Sequence, residues 1–140
     1  MTGKQYFIRV ANAIKSLEAL QKRVSELKEC ATTIGSFDYS KEKVQTSPQN
    51  YQEAKVVKIL DSIQEYDDQI SVYADLILEA EKRLSSLSKK QYSEVIRMKY
   101  LENERLSWDE IGDRMKYTGI GARDIHKKAL TEFEERFLKK

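Results

Sequence analysis

The sequence predicts an all-α fold, a long antiparallel helical hairpin of coiled-coil type followed by a three-helix helix-turn-helix unit. Three observations predict it. Apolar residues recur at alternating steps of three and four in two long segments. The helix-start pattern Ser-x-x-Gln/Glu stands twice between residues 88 and 110. Only five glycines and one proline interrupt 140 residues, of which 34% are charged. That composition suits solvent-washed helices and not a sandwich of short strands.

The first seam is Val10, Ala13, Leu17, Leu20, Val24, Leu27, Ala31 and Ile34. Its 3.5-residue period is that of a coiled-coil contact. Gly35 is placed to end the helix in a left-handed C-terminal conformation. Residues 35–47 show no period and are expected to be a loop. Ser47-Pro48 then opens a second helix, with the serine as cap and the proline at the first helical position. Its seam is Val56, Leu60, Ile63, Asp67, Ile70, Ala74, Ile77, Glu81 and Leu84. At about 30 and 38 residues, neither helix is stable with one wet apolar stripe, so the two must pair. Tyr6, Phe7, Tyr66, Tyr73 and Leu76 fall outside the seams and are expected to contact another protomer, making a homo-oligomer through the hairpin, the alternative being a solitary hairpin whose tyrosines cover its own flank. Asp67 and Glu81 on the seam are expected to fix register or face a partner's basic group.

Helix starts in the last third are legible. Ser88 to Gln91 is a capping box with Leu87 and Tyr92 at the staple positions. Ser107 to Glu110 is another, with Leu106 and Ile111 as its staple. Helices are therefore expected near 88–102 and 107–115, and a third from a Thr118 cap to Leu138. The chain divides on this reading into a hairpin for oligomerisation (1–87) and a C-terminal module (88–140). Ile111 and Met115 face Ala122, Ile125 and Ala129, which glues the last two helices together. Gly112 stands where they come closest. Lys116 occupies a turn position that favours glycine and is expected at positive φ.

Charge and chemistry narrow the function. Residues 1–87 carry 12 basic and 13 acidic side chains, and residues 88–140 carry 13 and 10, so the basic excess lies in the last third. Cys30 is the sole cysteine and is expected to be a small packing residue. No apolar run approaches the ~20 residues that cross a bilayer, so no membrane partner and a cytoplasmic location are expected. His126 has no second histidine or cysteine at metal-ligand spacing. Phosphate-cradling glycine loops and nucleophile motifs are absent from the sequence. No enzyme, metal or cofactor is expected.

A DNA-reading face is expected instead. Helical spacing puts Ile120, Arg123, Asp124 and Lys127 opposite the packing residues Ala122, Ile125 and Ala129. Arg123 suits guanine, Ile120 a thymine methyl and Asp124 a cytosine amine, while Lys127 and Lys128 suit phosphates. The cap Thr118 and the glycines Gly119 and Gly121 would let the backbone approach the sugar-phosphate chain, and Arg114, Lys116 and Tyr117 flank the turn. Two glycines in one turn cost about 1 kcal/mol each against alanine, so a loose helix start is expected. Trp108 is read as packing under the preceding helix.

The stretch from Leu87 to Leu130 resembles region 4 of bacterial sigma factors in its RMKYL, SWDEIGDRM and IHKKAL segments. The segment DYSKEKVQTSPQN resembles the ArpU/RinA-like phage transcriptional regulators. These resemblances imply sequence-specific binding of double-stranded DNA, activation of phage late genes in a bacterial host cell, and contact with host RNA polymerase. A small terminase subunit for DNA packaging, or a helical assembly adaptor that does not bind DNA, would use similar parts.

Overall fold

The computed structural model describes the backbone of residues 1–40, 46–102 and 105–139, and side chains outside 35–51. These residues are all-helical, with no strand among them. Helix α1 is Gly3–Ser40 and α2 is Thr46–Ser85. Helix α3 (Lys90–Ile96) runs on into a π-helical turn, Arg97–Leu101. Helix α4 is Trp108–Met115, and α5 (Gly119–Phe133) runs on into a second π-helical turn, Glu134–Leu138. Among the described residues no helix is long and apolar enough to cross a membrane.

Helix α1 starts with a capping box that the heptad reading overlooked. Gln5 N–H donates to Thr2 Oγ1 at 3.1 Å, and Thr2 N–H donates to Gln5 Oε1 at 3.0 Å. The helix then continues through Gly35, which is not its end. One helical glycine costs only about 1 kcal/mol against alanine, too little to stop a long helix alone. Of the expected loop, 35–40 and 46–47 are helical, and 41–45 lie outside the described residues. The side chains of Ser47 and Pro48 also lie outside them, as do those of the DYSKEKVQTSPQN segment.

The chain forms two compact units, Met1–Lys15 with Ala74–Lys140, and Ser16–Tyr73. The boundary expected at residue 87 falls inside the first unit.

Within Ser16–Tyr73 the first seam is buried or half-buried at Leu17, Leu20, Val24, Leu27, Ala31 and Ile34. The second seam runs in a different register from the one expected. Val56, Ile59, Ile63, Tyr66, Ile70 and Tyr73 are buried or half-buried, whereas Leu60 is 53% exposed and Asp67 is exposed. Both registers share positions 56, 63 and 70. The one adopted turns Asp67 to water and so avoids burying a carboxylate. Tyr66 and Tyr73 are therefore seam residues, not spare ones. Cys30 is exposed rather than packed.

The other unit is built on one core. Tyr6, Phe7 and Val10 of α1 join Ala80 and Leu84 of α2, Leu87, then Tyr92, Val95 and Ile96 of α3. Leu106, Ile111, Ala122, Ile125, Ala129 and Phe133 complete it. Phe7 is fully buried, with its ring 4.6 Å from that of Phe133 and 5.8 Å from that of Tyr100. Tyr6 lies 5.0 Å from Phe133 and donates its hydroxyl to Glu79 at 2.9 Å. Burial and then Glu79 push the Tyr6 phenol up to about 12. Tyr6 and Phe7 thus pack within their own chain and are not available to another protomer.

Polar contacts tie the same elements. Glu134 Oε1 accepts from Gly3 N–H at 2.6 Å, placing a carboxylate at the start of α1, where the helix dipole favours it. Glu81 pairs with Arg97 at 2.8 Å, so its basic partner is in the same chain. Ser88 is not the cap of α3. The N-cap is Lys89, which makes no side-chain cap bond, while Ser88 donates its N–H to Glu132 at 2.9 Å and its hydroxyl to the same carboxylate. Leu87 and Tyr92 are nevertheless both buried in the core.

Phe7→Ala is expected to cost roughly 3–5 kcal/mol, the usual range for removing a buried ring. Leu78→Ala is expected to stay within about 0.5 kcal/mol, as for exposed positions. Urea unfolding of both variants checks the pair. Equal small losses would show that α1 does not belong to this core.

Candidate nucleic-acid interface

Local chemistry at the two ends of α4 sets the position of α5. At the start, Ser107 Oγ accepts from Glu110 N–H at 3.2 Å and Glu110 Oε1 accepts from Ser107 N–H at 3.2 Å. The Ser107 backbone N–H, and then its hydroxyl, hold the Glu110 carboxyl below its ordinary range. The staple residues Leu106 and Ile111 are both buried. At the end, Tyr117 N–H reaches Gly112 O at 2.7 Å and Lys116 N–H reaches Asp113 O at 3.3 Å, the two bonds of a Schellman turn. Lys116 takes φ 63° and ψ 40°, the left-handed conformation expected from its position.

Two glycines permit the close approach. A Cβ on Gly112 would stand 2.7 Å from the backbone carbonyl of Thr118 and 2.8 Å from that of Tyr117. A Cβ on Gly119 would run into the Asp109 carboxylate and stand 3.2 Å from the Asp109 backbone nitrogen. Gly119 therefore turns the side where a Cβ would stand toward the start of α4. Thr118 caps α5 as expected, its Oγ1 accepting from Gly121 N–H at 3.0 Å.

The expected face of α5 is open. Ala122, Ile125 and Ala129 are buried, while Arg123, Asp124, Lys127 and Lys128 are exposed. Ile120 is 85% exposed, the most exposed of the large apolar residues described. Thr118 is exposed and Gly121 half-buried. Asp124 already pairs with Lys128 at 3.5 Å, so neither group reaches a base or phosphate without exchanging that partner. The turn residues are similarly engaged. Arg114 contacts Glu102 at 3.4 Å, and the Tyr117 hydroxyl donates to Gln91 at 3.1 Å. Lys116 is exposed.

Behind this face lies a ring cluster that spacing alone did not reveal. His126 is buried and bonded through Nε2 to the Tyr100 hydroxyl at 2.8 Å. The Trp108 ring is 4.8 Å from His126, and Lys99 Nζ stands 4.7 Å from the Trp108 centroid. Trp108 is a packing residue, half-buried against the core. Burial, followed by the charges of Lys99, Lys4 and Arg123, pulls His126 down to about 4. Burial also raises Tyr100, so its phenol stays protonated beside His126. Nothing local in the sequence marks Lys4 as a neighbour of α5; its place follows from the burial of Phe7, one helical turn on.

The close approach and the buried imidazole are each open to measurement. Gly112→Ala must force apart two backbones and is expected to cost about 1–3 kcal/mol, read as a lower urea midpoint; an unchanged midpoint would disprove the close approach. For His126 the unfolded chain titrates near about 6.5 and the folded protein near 4, so between these values the unfolded state binds more protons. Its contribution is fully present above the unfolded value and is lost as the pH falls toward the folded one. His126→Gln should therefore flatten the acid side of the stability-pH curve; equal slopes in both proteins would refute a buried neutral imidazole. Compared with protein-family models, with curated proteins and with solved structures, the chain finds no match in any of the three.

Proposed function

We propose that this chain is a sequence-specific DNA-binding transcriptional regulator in which α4, the Lys116–Thr118 turn and α5 act as a helix-turn-helix. The observation that carries this reading is the outer face of α5. An almost fully exposed isoleucine stands beside an arginine that pairs with no acid among the described residues, on a helix whose other side is buried. Such a side chain is useful against a thymine methyl, and Arg123 beside it suits guanine. Lys127 serves a phosphate, giving affinity without sequence information.

The regulator type is that of the ArpU/RinA-like proteins with a sigma-region-4-like module, acting on phage late genes. That assignment, the bacterial cytoplasm and contact with host RNA polymerase rest on the sequence resemblance. Self-association through the long helices belongs to the same reading. Its support is Val57, Leu60 and Val72, which are large, apolar and more than half exposed on α2. The observation on the other side is the Asp124–Lys128 pair, which is what a merely solvated helix face displays. It favours an adaptor that does not bind DNA.

Binding to duplex DNA from upstream of late genes, against a scrambled duplex at two salt concentrations, decides between the two. Wild type is expected to prefer the promoter. Arg123→Ala with Ile120→Ala should cost about 1–3 kcal/mol of that preference for each base no longer read, with little change in stability because both side chains are exposed. Equal affinity for both duplexes in wild type and variant would favour the adaptor.

A further inference from the structure

Beside the open face of α5 is a cleft of about 380 Å³ lined by side chains from distant parts of the sequence. Lys4 comes from the first turn of α1, Lys99 from the π-helical turn after α3, and Arg123 and Lys127 from α5. No carboxylate lines it. Among the described residues none of these four cations forms an ion pair with an acid. Four positive groups around one concavity repel each other unless an anion enters.

The lining also limits what that anion is. Trp108 is already engaged by the Lys99 ammonium and the His126 ring, so it offers no free platform for stacking a base. Recognition here is by charge and hydrogen bonding, which fits a phosphate. A second hollow of about 410 Å³ shares Lys99 and Tyr100 with the first and adds Lys15 and Arg105, together with one acid, Glu102, which pairs with Arg114. The cations thus run as a track from α5 across to α1. An extended polyanion needs such a track, whereas a single small ligand does not. An acidic peptide has the same charge, but Arg123 and Lys127 make the track continuous with the proposed base-reading face, which favours DNA.

We infer that this cleft receives a backbone phosphate flanking the major-groove contact, so that Lys4 and Lys99 extend the DNA footprint onto the first turn of the chain. The inference rests on the DNA-binding reading, and it adds contacts from outside the helix-turn-helix. His126 forms the back of the cleft and reports on it. A phosphate there would offset the charges of Lys99, Lys4 and Arg123 that disfavour its protonation, while the uncharged Tyr100 and Trp108 rings around it would stay as they are.

The test uses the full chain, with Lys4→Gln and Lys4→Gln/Lys99→Gln beside wild type. Lys4 is exposed, so its single variant keeps the fold even if the double variant loses stability. Affinity for promoter duplex is measured across a salt series, and the His126 ring is followed by NMR during titration with duplex and, separately, with inorganic phosphate. Expected is a fall in the salt slope by about 1 per lysine removed, an affinity loss of roughly tenfold or more for the pair, and a His126 shift on DNA binding that the double variant lacks. Wild-type affinity and slope in both variants overturn the inference while leaving the DNA-binding reading intact. If wild type binds no duplex, that reading fails. A His126 response to inorganic phosphate would then give the cleft to a free phosphate, and no response would remove the site altogether. A response to an acidic peptide in place of duplex overturns the DNA assignment.

Discussion

Phe7 carries an unusual burden for a residue so near the start of a chain. Its ring is fully enclosed between Phe133, near the end of α5, and Tyr100, at the end of the α3 π-helical turn. Full burial of such a side chain is worth about 1.5–3 kcal/mol, and the edge-to-face contact with Tyr6 adds to it. The larger effect is topological. A module of short helices, α3 to α5, has little apolar surface to hide, and α4 has only eight residues. By lending Tyr6, Phe7 and Val10, the first turns of α1 supply the missing layer of the core. The Thr2–Gln5 box and the Glu134 carboxylate at Gly3 then fix where that helix begins, and with it the location of Lys4.

With that layer in place, the approach of α5 to α4 is decided by atoms too small to vary. Gly112 admits the carbonyls of Tyr117 and Thr118, and Gly119 admits Asp109. Lys116 is held left-handed between them, at a cost of order 1–3 kcal/mol that the surrounding turn bonds must offset. Its side chain is left exposed and positive beside the start of α5. A glycine there would relieve the backbone but remove the charge. The glycines of α5 read from sequence as a source of looseness; at Gly119 the structure shows a close approach, where a side chain would have to push aside the Asp109 carboxylate and crowd its backbone nitrogen.

Much of the fold was legible because its signals are local. The Ser107–Glu110 box, the Thr118 cap, the packing face of α5 and the strain at Lys116 depend on residues a few positions apart, and each is where spacing put it. Signals with a competing long-range partner misled. Ser88 fits a capping box, yet Glu132, 44 residues away, accepts both its N–H and its hydroxyl. The α2 seam has two apolar registers that share every other position, and periodicity alone does not choose between them. The cost of burying Asp67 does, and that penalty was available from the sequence. The place of Phe7 was not, since no pattern within α1 names a partner more than 90 residues away. The candidate face of α5 was therefore readable from one helix, whereas Lys4 and Lys99 beside it became visible only with the core.

Net charge is a poor guide to a surface assembled this way. The chain as a whole is only +2, and the basic excess of its last third is three charges. The acids are not spread evenly through the folded unit, however. Glu79, Glu81, Glu102, Asp124 and Glu132 are each spent on an arginine or lysine of the same chain, at Arg83, Arg97, Arg114, Lys128 and Arg136. Such exposed pairs add little stability, but they cancel charge locally. What remains uncancelled around the His126 cleft is positive, and it comes from three separate elements. Burial first, and then the field of Lys99, Lys4 and Arg123, keeps His126 neutral, and that same field would draw a polyanion toward α5. An imidazole that cannot accept a proton at ordinary pH also adds no charge of its own, so attraction there is set by lysine and arginine and should vary with salt more than with pH.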